Sequence, residues 1–120
     1  MTVPDFFAVA WNNGAYHTTG AGYGLKLSAA DRDAHIRREW RHVSLVLPGR
    51  QKPLHVNIDK SSFWNDTCRE LISRDIGAWL IAQGLGRWSN GEPPRIGLRV
   101  RGDGAFDVLP FRGLPDPGPM

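Results

Sequence analysis

Trp64-Asn65-Asp66-Thr67-Cys68-Arg69-Glu70-Leu71-Ile72-Ser73-Arg74-Asp75-Ile76-Gly77-Ala78-Trp79-Leu80-Ile81-Ala82-Gln83-Gly84-Leu85 is the stretch on which the reading of the fold turns. Trp64, Cys68, Leu71, Ile72, Ile76, Trp79 and Leu80 recur at three- and four-residue spacing, the period of an amphipathic helix with one apolar stripe. Thr67 and Glu70 stand as a capping box near its start. The run Gly84-Leu85-Gly86 closes it. Gly77 falls at mid-helix, where glycine costs roughly 1 kcal/mol against alanine. That cost is best understood if another backbone packs close to it.

Outward from this helix the chain reads as strands. Arg95 to Arg101 pairs with Ala105 to Leu109 around Gly102-Asp103-Gly104, with Ile96, Leu98 and Val100 on one face and Arg95, Arg99 and Arg101 on the other. Upstream, Val43 to Leu47 and Leu54 to Ile58 flank a polar loop, and the second of them has the alternation of a half-buried strand. Ser28 with Asp31 marks a helix start, and the helix is expected over Ala29 to Trp40 on a thin apolar face of Ala30, Ala34, Ile36 and Trp40. Phe6 to Trp11 is a β-rich run followed by Asn12-Asn13-Gly14, a type I′ turn signal, so a return strand is expected from Ala15-Tyr16-His17. Leu25-Lys26-Leu27 adds a short strand.

The expected order is β-β-β-α-β-β-α-β-β. It describes an α+β domain over residues 1–110: a mainly antiparallel, partly open β-barrel with two helices. Residues 111–120 lack a core pattern and read as a flexible C-terminal tail. A chain of 120 residues suffices for one core.

Fifteen Lys and Arg against twelve Asp and Glu give a net charge of +3. Twelve of the fifteen are arginine, the residue suited to bidentate phosphate and guanine contacts; a GC-rich genome would give the same bias without functional cause. The single cysteine, Cys68, excludes an intrachain disulfide and argues against a cysteine-based zinc site. On the apolar stripe it reads as a small buried hydrophobe. The N-terminal segment lacks a charged region followed by a long apolar run, and no stretch approaches a membrane span. Neither a signal peptide nor a membrane partner is expected, and cytoplasmic residence follows.

Gly20-x-Gly22-x-Gly24 invites a phosphate-loop reading, but such a loop opens into a helix, and these glycines open into a strand. They are better read as sites of bending or close backbone approach. His17, His35, His42 and His55 share no metal-ligand spacing. No cofactor is expected. Two cationic groups stand out: His35-Ile36-Arg37-Arg38-Glu39-Trp40-Arg41-His42 at a helix end, and Arg95, Arg99 and Arg101 along one strand face. The loop Asp59 to Asp66 mixes hydrogen-bonding side chains with Phe63 and Trp64, a composition able to meet base edges.

The order from Gly24-Leu25-Lys26-Leu27 through the Ala29 helix, the Val43 to Ile58 hairpin, Ile76-Gly77-Ala78-Trp79-Leu80-Ile81-Ala82-Gln83-Gly84-Leu85 and the final hairpin containing Phe106 resembles the DNA-binding pseudobarrel domain. That domain occurs in plant transcription factors and as the recognition module of some restriction endonucleases. The resemblance covers roughly residues 22 to 109. It departs from the family pattern in the N-terminal hairpin, the helix length and the Trp88 to Pro94 turn. It implies two arms in a DNA major groove, one around His17 to Lys26 and one around Lys60 to Arg69.

The expected function is therefore a non-catalytic double-stranded DNA-binding module. Lys26, Lys60 and Arg69 would hold phosphates, and Ser62, Trp64 and Asn65 would meet bases. His17 and Thr19 would belong to the first arm, and Arg37, Arg38 and Arg41 would add a diffuse positive field. The alternatives are a protein-interaction domain anchored on exposed tryptophans and a small metal-dependent nuclease built on Asp59 and Lys60.

Overall fold

Apolar and polar residues alternate in the strands, and the alternation decides which face of the sheet is buried. A computed structural model describes residues 3–89 and 91–111. In β1 (Phe6–Asn12), Phe6, Ala8 and Ala10 point into the core while Phe7 and Val9 point away from it. Then follow β2 (Tyr23–Lys26), α1 (Ala29–His35), β3 (His42–Val46), β4 (Leu54–Asn57), α2 (Ser61–Trp64), β5 (Glu70–Ile72), α3 (Arg74–Ala82), β6 (Arg95–Gly102) and β7 (Ala105–Val108). The seven strands form one sheet in the order β4-β3-β7-β6-β1-β2-β5, antiparallel except for the pair β3 and β7. Its edge strands β4 and β5 approach one another, so the sheet is a nearly closed barrel. Leu25, Val43, Leu45, Ile58, Phe63, Leu71, Ile96 and Leu98 fill it.

The expected Trp64 to Leu85 helix is three elements. Only its second half is a long helix; the first half supplies α2, a loop and strand β5. The break is at Arg69, whose φ of 64° is left-handed and incompatible with helix propagation. Leu27 N–H donates to Arg69 O, and β5 then pairs with β2 through Leu25 and Leu71. Thr67 and Glu70 form no capping box: Thr67 is in the loop and Glu70 opens β5. Cys68 is half-buried in that loop, not on a helix stripe. The cap that operates is Ser73, whose Oγ accepts from Asp75 N at 3.1 Å. Replacing Ser73 by alanine should cost about 1 kcal/mol, read as a melting temperature about 4–8 °C lower.

The closing run behaves as its residues dictate. Gly84 adopts φ +77°, its N–H donates to Ile81 O and Leu85 N–H donates to Leu80 O, which is a Schellman termination. Gly77 sits against another backbone. A Cβ built on it would lie 2.6 Å from Gly20 Cα. Gly20, Gly22 and Gly24 all take roles of close approach: Gly20 against α3, Gly22 against the Asn13 side chain, Gly24 against the backbone of Leu71 and Ile72.

Two further expectations shift. Asn12 and Asn13 do not reverse the chain into an immediate return strand. Their side-chain oxygens accept from Gly14 N and Ala15 N, and Asn13 N–H donates to Gly22 O, closing the neck of a loop over 13–22. The strand that returns is β2. Helix α1 stops at His35 because Ile36 turns extended and enters the core. Its buried residue is Arg32; Ala30 and Ala34 are exposed. In β6, Val100 stays in register opposite Phe106 but is 39% exposed, where the strand runs into a bulge between Val100 and Gly102, so it adds less to the core than Ile96 and Leu98. Phe111, assigned to the tail, packs against the core; residues 112–120 lie outside the described residues. No helix among the described residues is long and apolar enough to cross a membrane.

Candidate nucleic-acid interface

Strand register gives the barrel two distinct ends. β2 ends at Lys26, opposite Glu70 of β5, so the loop 65–69 lies at the Lys26 end. Helix α1 starts there, and Ile58 N–H donates to Arg41 O, which brings the 36–41 connection and α2 to the same end. The loop 13–22 precedes β2 and packs on the first turn of α3, at the opposite end. His17 and Thr19 are therefore not gathered with Lys60 to Arg69, and the two expected arms do not face each other across one end.

At the α1 end, Lys26, Arg69 and Arg95 line one open cleft of about 330 Å³ with Phe7, Ser28 and Asp31. Register explains the grouping: Val9 pairs with Arg95 on one side and with Lys26 on the other. Arg95 lies 4.6 Å over the ring of Phe7, which is half-exposed. These cations are partly engaged. Lys26 Nζ donates to Thr67 O at 2.9 Å and stands 3.9 Å from Glu70 Oε2. Arg69 Nε donates to Leu27 O at 2.8 Å, and an amine of the same guanidinium donates to Asp66 O. Asp31 in the cleft wall accepts from Ser28 Oγ at 2.9 Å through its carboxylate, and its N–H donates back to Ser28 Oγ at 3.0 Å. Three cations against the carboxylates of Asp31 and Glu70 leave a small positive excess.

Beside it a second cleft, of about 470 Å³, is lined by Asp33, Ile36, Arg37, Arg38, Glu39 and Trp64. Trp64 is not an exposed reader: its Nε1 donates to Ile58 O at 2.9 Å, and the guanidinium groups of Arg32 and Arg38 lie over its ring at 5.3 and 5.2 Å. Arg32 is buried and donates to Phe63 O at 3.0 Å and Asn65 O at 2.8 Å, fixing the turn after α2. Asn65 Oδ1 accepts from Thr67 N and Cys68 N, which leaves its amide nitrogen free to donate outward. Lys60 is the N-cap of α2 without a side-chain cap bond, and Ser62 accepts from Arg69 N–H through its carbonyl. Arg37, Arg38 and Arg41 are exposed in the connection after α1, not on the helix end itself. At the other end, Thr19 Oγ1 accepts from Ala21 N at 3.3 Å and His17 lines a separate cavity.

Sequence reasoning missed Phe7 and the positional role of Arg32. Phe7 carried a signal, since it alternates outward from Phe6 and Ala8; its diagonal contact with Arg95 depends on a register in which Phe7 pairs with Gly97 and Val9 with Arg95, strands far apart in the chain. None of the five tryptophans is fully exposed: Trp79 is buried, Trp40, Trp64 and Trp88 are partly buried against the core, and Trp11 in β1 is half-buried. Asp59 and Lys60 are adjacent in sequence, and among the described residues no three His, Cys, Asp or Glu side chains gather as a cation site. His42 and His55 do meet, edge to face at 4.9 Å, with Ser44 Oγ 3.0 Å from His55 Nδ1. Comparison with protein-family models, curated proteins and solved structures finds no match to this chain.

Proposed function

We propose that the protein is a double-stranded DNA-binding module that performs no chemistry itself and engages DNA with the α1 end of its barrel. The observation that carries this reading is the cleft in which Lys26, Arg69 and Arg95 converge beside the half-exposed ring of Phe7. Convergent cations at one open cleft suit a phosphate backbone, which supplies the sequence-independent part of DNA affinity. Arg37, Arg38, Arg41 and Lys60 at the same end extend the field. The free amide of Asn65 and the hydroxyl of Ser62 are the groups placed to meet base edges. His17 and Thr19 belong to the other end and take no part. The nearly closed, barrel-shaped sheet, of the kind that the resemblance to the DNA-binding pseudobarrel domain implies, is a further support.

Magnitude separates this reading from a strongly basic groove. Three phosphate contacts correspond to a slope of about −2.7 in log affinity against log salt, so a fourfold rise in salt should weaken binding by about 40-fold. Replacing Arg95 by glutamine should reduce the slope by about 0.9 with little change in sequence preference. Duplex titration by fluorescence anisotropy at several salt concentrations checks both. Binding that ignores salt, or no binding at low salt, would contradict the proposal.

A further inference from the structure

At the end of the barrel away from α1, Tyr16, Tyr23 and Trp88 form a cluster of three rings in mutual contact. Tyr16 to Trp88 is 6.2 Å and Tyr23 to Trp88 6.3 Å, both edge to face, and Tyr16 to Tyr23 is 6.5 Å. An open cavity of about 290 Å³ adjoins them, lined by Tyr16, His17, Thr18, Tyr23, Ile81 and Arg87 among others. Tyr23 is a rigid floor: its ring is buried and its hydroxyl donates to Gly86 O at 2.5 Å. Arg87 lies 4.6 Å over the ring of Tyr16, which is itself exposed.

Tyr23 belongs to the core and Trp88 packs against it, but Tyr16, His17, Thr18 and Arg87 are all exposed, and core packing does not account for their gathering here. Its parts are those of a site for a flat, anionic ligand. Aromatic rings and guanidinium planes both stack on nucleobases. Arg87 also brings a bidentate donor for phosphate oxygens, and His17 and Thr18 add ring N–H and hydroxyl groups. A volume at the low end for ligand pockets admits one base with its sugar, not a longer aromatic system.

We infer that this cavity takes a single nucleotide unit, with the base against the Tyr16 and Arg87 wall over Tyr23 and Ile81, and the phosphate on Arg87. The inference does not rest on the duplex-binding reading, whose residues lie at the other end. The unit could be a free mononucleotide or one residue of a single strand, and the test separates the two sources.

The full chain is titrated calorimetrically with adenosine 5′-monophosphate, adenosine and a single-stranded oligoadenylate. The monophosphate should bind about tenfold more tightly than adenosine. Arg87→Gln should abolish that difference, and Tyr16→Ala should weaken both by about tenfold while Tyr16→Phe retains binding. Melting temperatures of the variants should match the parent, since both side chains are exposed. Binding of the monophosphate identifies a free nucleotide as sufficient; binding of the oligonucleotide alone identifies a strand. No heat with any of the three, equal affinity for monophosphate and adenosine, or binding unmoved in Tyr16→Ala overturns the assignment. Lys26 and Arg95 variants should leave these affinities unchanged, so failure here and failure of the duplex reading are distinguishable.

Discussion

Replacing Gly77 by alanine is expected to cost about 3 kcal/mol or more, lowering the melting temperature by about 12 °C or more. In an ordinary helix the same change stabilises by about 1 kcal/mol. The sign reverses here because the new methyl would meet backbone: Gly20 Cα at 2.6 Å and Gly20 C at 2.7 Å. No rotamer change relieves such a clash, so α3 or the 13–22 loop must move as a unit. Gly20 faces the same constraint from the other side. Its added Cβ would stand 2.5 Å from Arg74 O, at a φ of +92° that disfavours any side chain. Gly49 is the control: it too has a positive φ, of +80°, but a Cβ there meets open space, so its alanine variant should lose only about 1 kcal/mol. Thermal unfolding of the three variants checks the ranking. An unchanged Gly77→Ala protein would mean that α3 does not pack on the loop.

Replacing Arg32 by methionine should cost about 3 kcal/mol. Methionine keeps much of the side chain's bulk but leaves the Phe63 and Asn65 carbonyls without their donor, one of them in a buried setting. Lysine should restore little. An ammonium cannot present the planar fork that reaches two carbonyls while Nε bonds Asp33. Urea unfolding measures the stability change. Hydrogen exchange localises it: the amides of Thr67, Cys68 and Arg69, bonded within the loop, should lose protection first. A methionine variant within about 0.5 kcal/mol of the parent would show that the 58–69 loop is held by other means.

The sheet was largely legible where turn chemistry and alternation agreed. β3, β4, β6 and β7 fall within a residue or two of where Val43, Leu54, Ile96 and Phe106 imply. The Trp64 to Leu85 stretch misled for a physical reason. Its apolar residues satisfy a helical period while in fact serving a short helix, a three-residue strand and a second helix, each too short to show its own period. The break at Arg69 left no mark, because arginine does not advertise a left-handed backbone as glycine or asparagine does. Ser73 with Asp75 was a readable cap that the apparent longer helix obscured. Gly77 and the glycines 20, 22 and 24 were readable as sites of close approach, since each lies where a Cβ would clash with a neighbour. The site divided in the same way. Residue types pointed to Lys26, Arg69 and Arg95, but grouping them needs pairings between strands far apart in sequence, and those pairings also separate His17 and Thr19 from the rest.

The most direct measurement of the central claim is amide-resolved NMR of the full chain titrated with duplex DNA at low salt. Shifts should concentrate at Phe7, Lys26, Arg69 and Arg95, with the Asn65 side-chain amide moving and the 13–22 loop unmoved. Shifts confined to the 13–22 loop, or none at all, would contradict it.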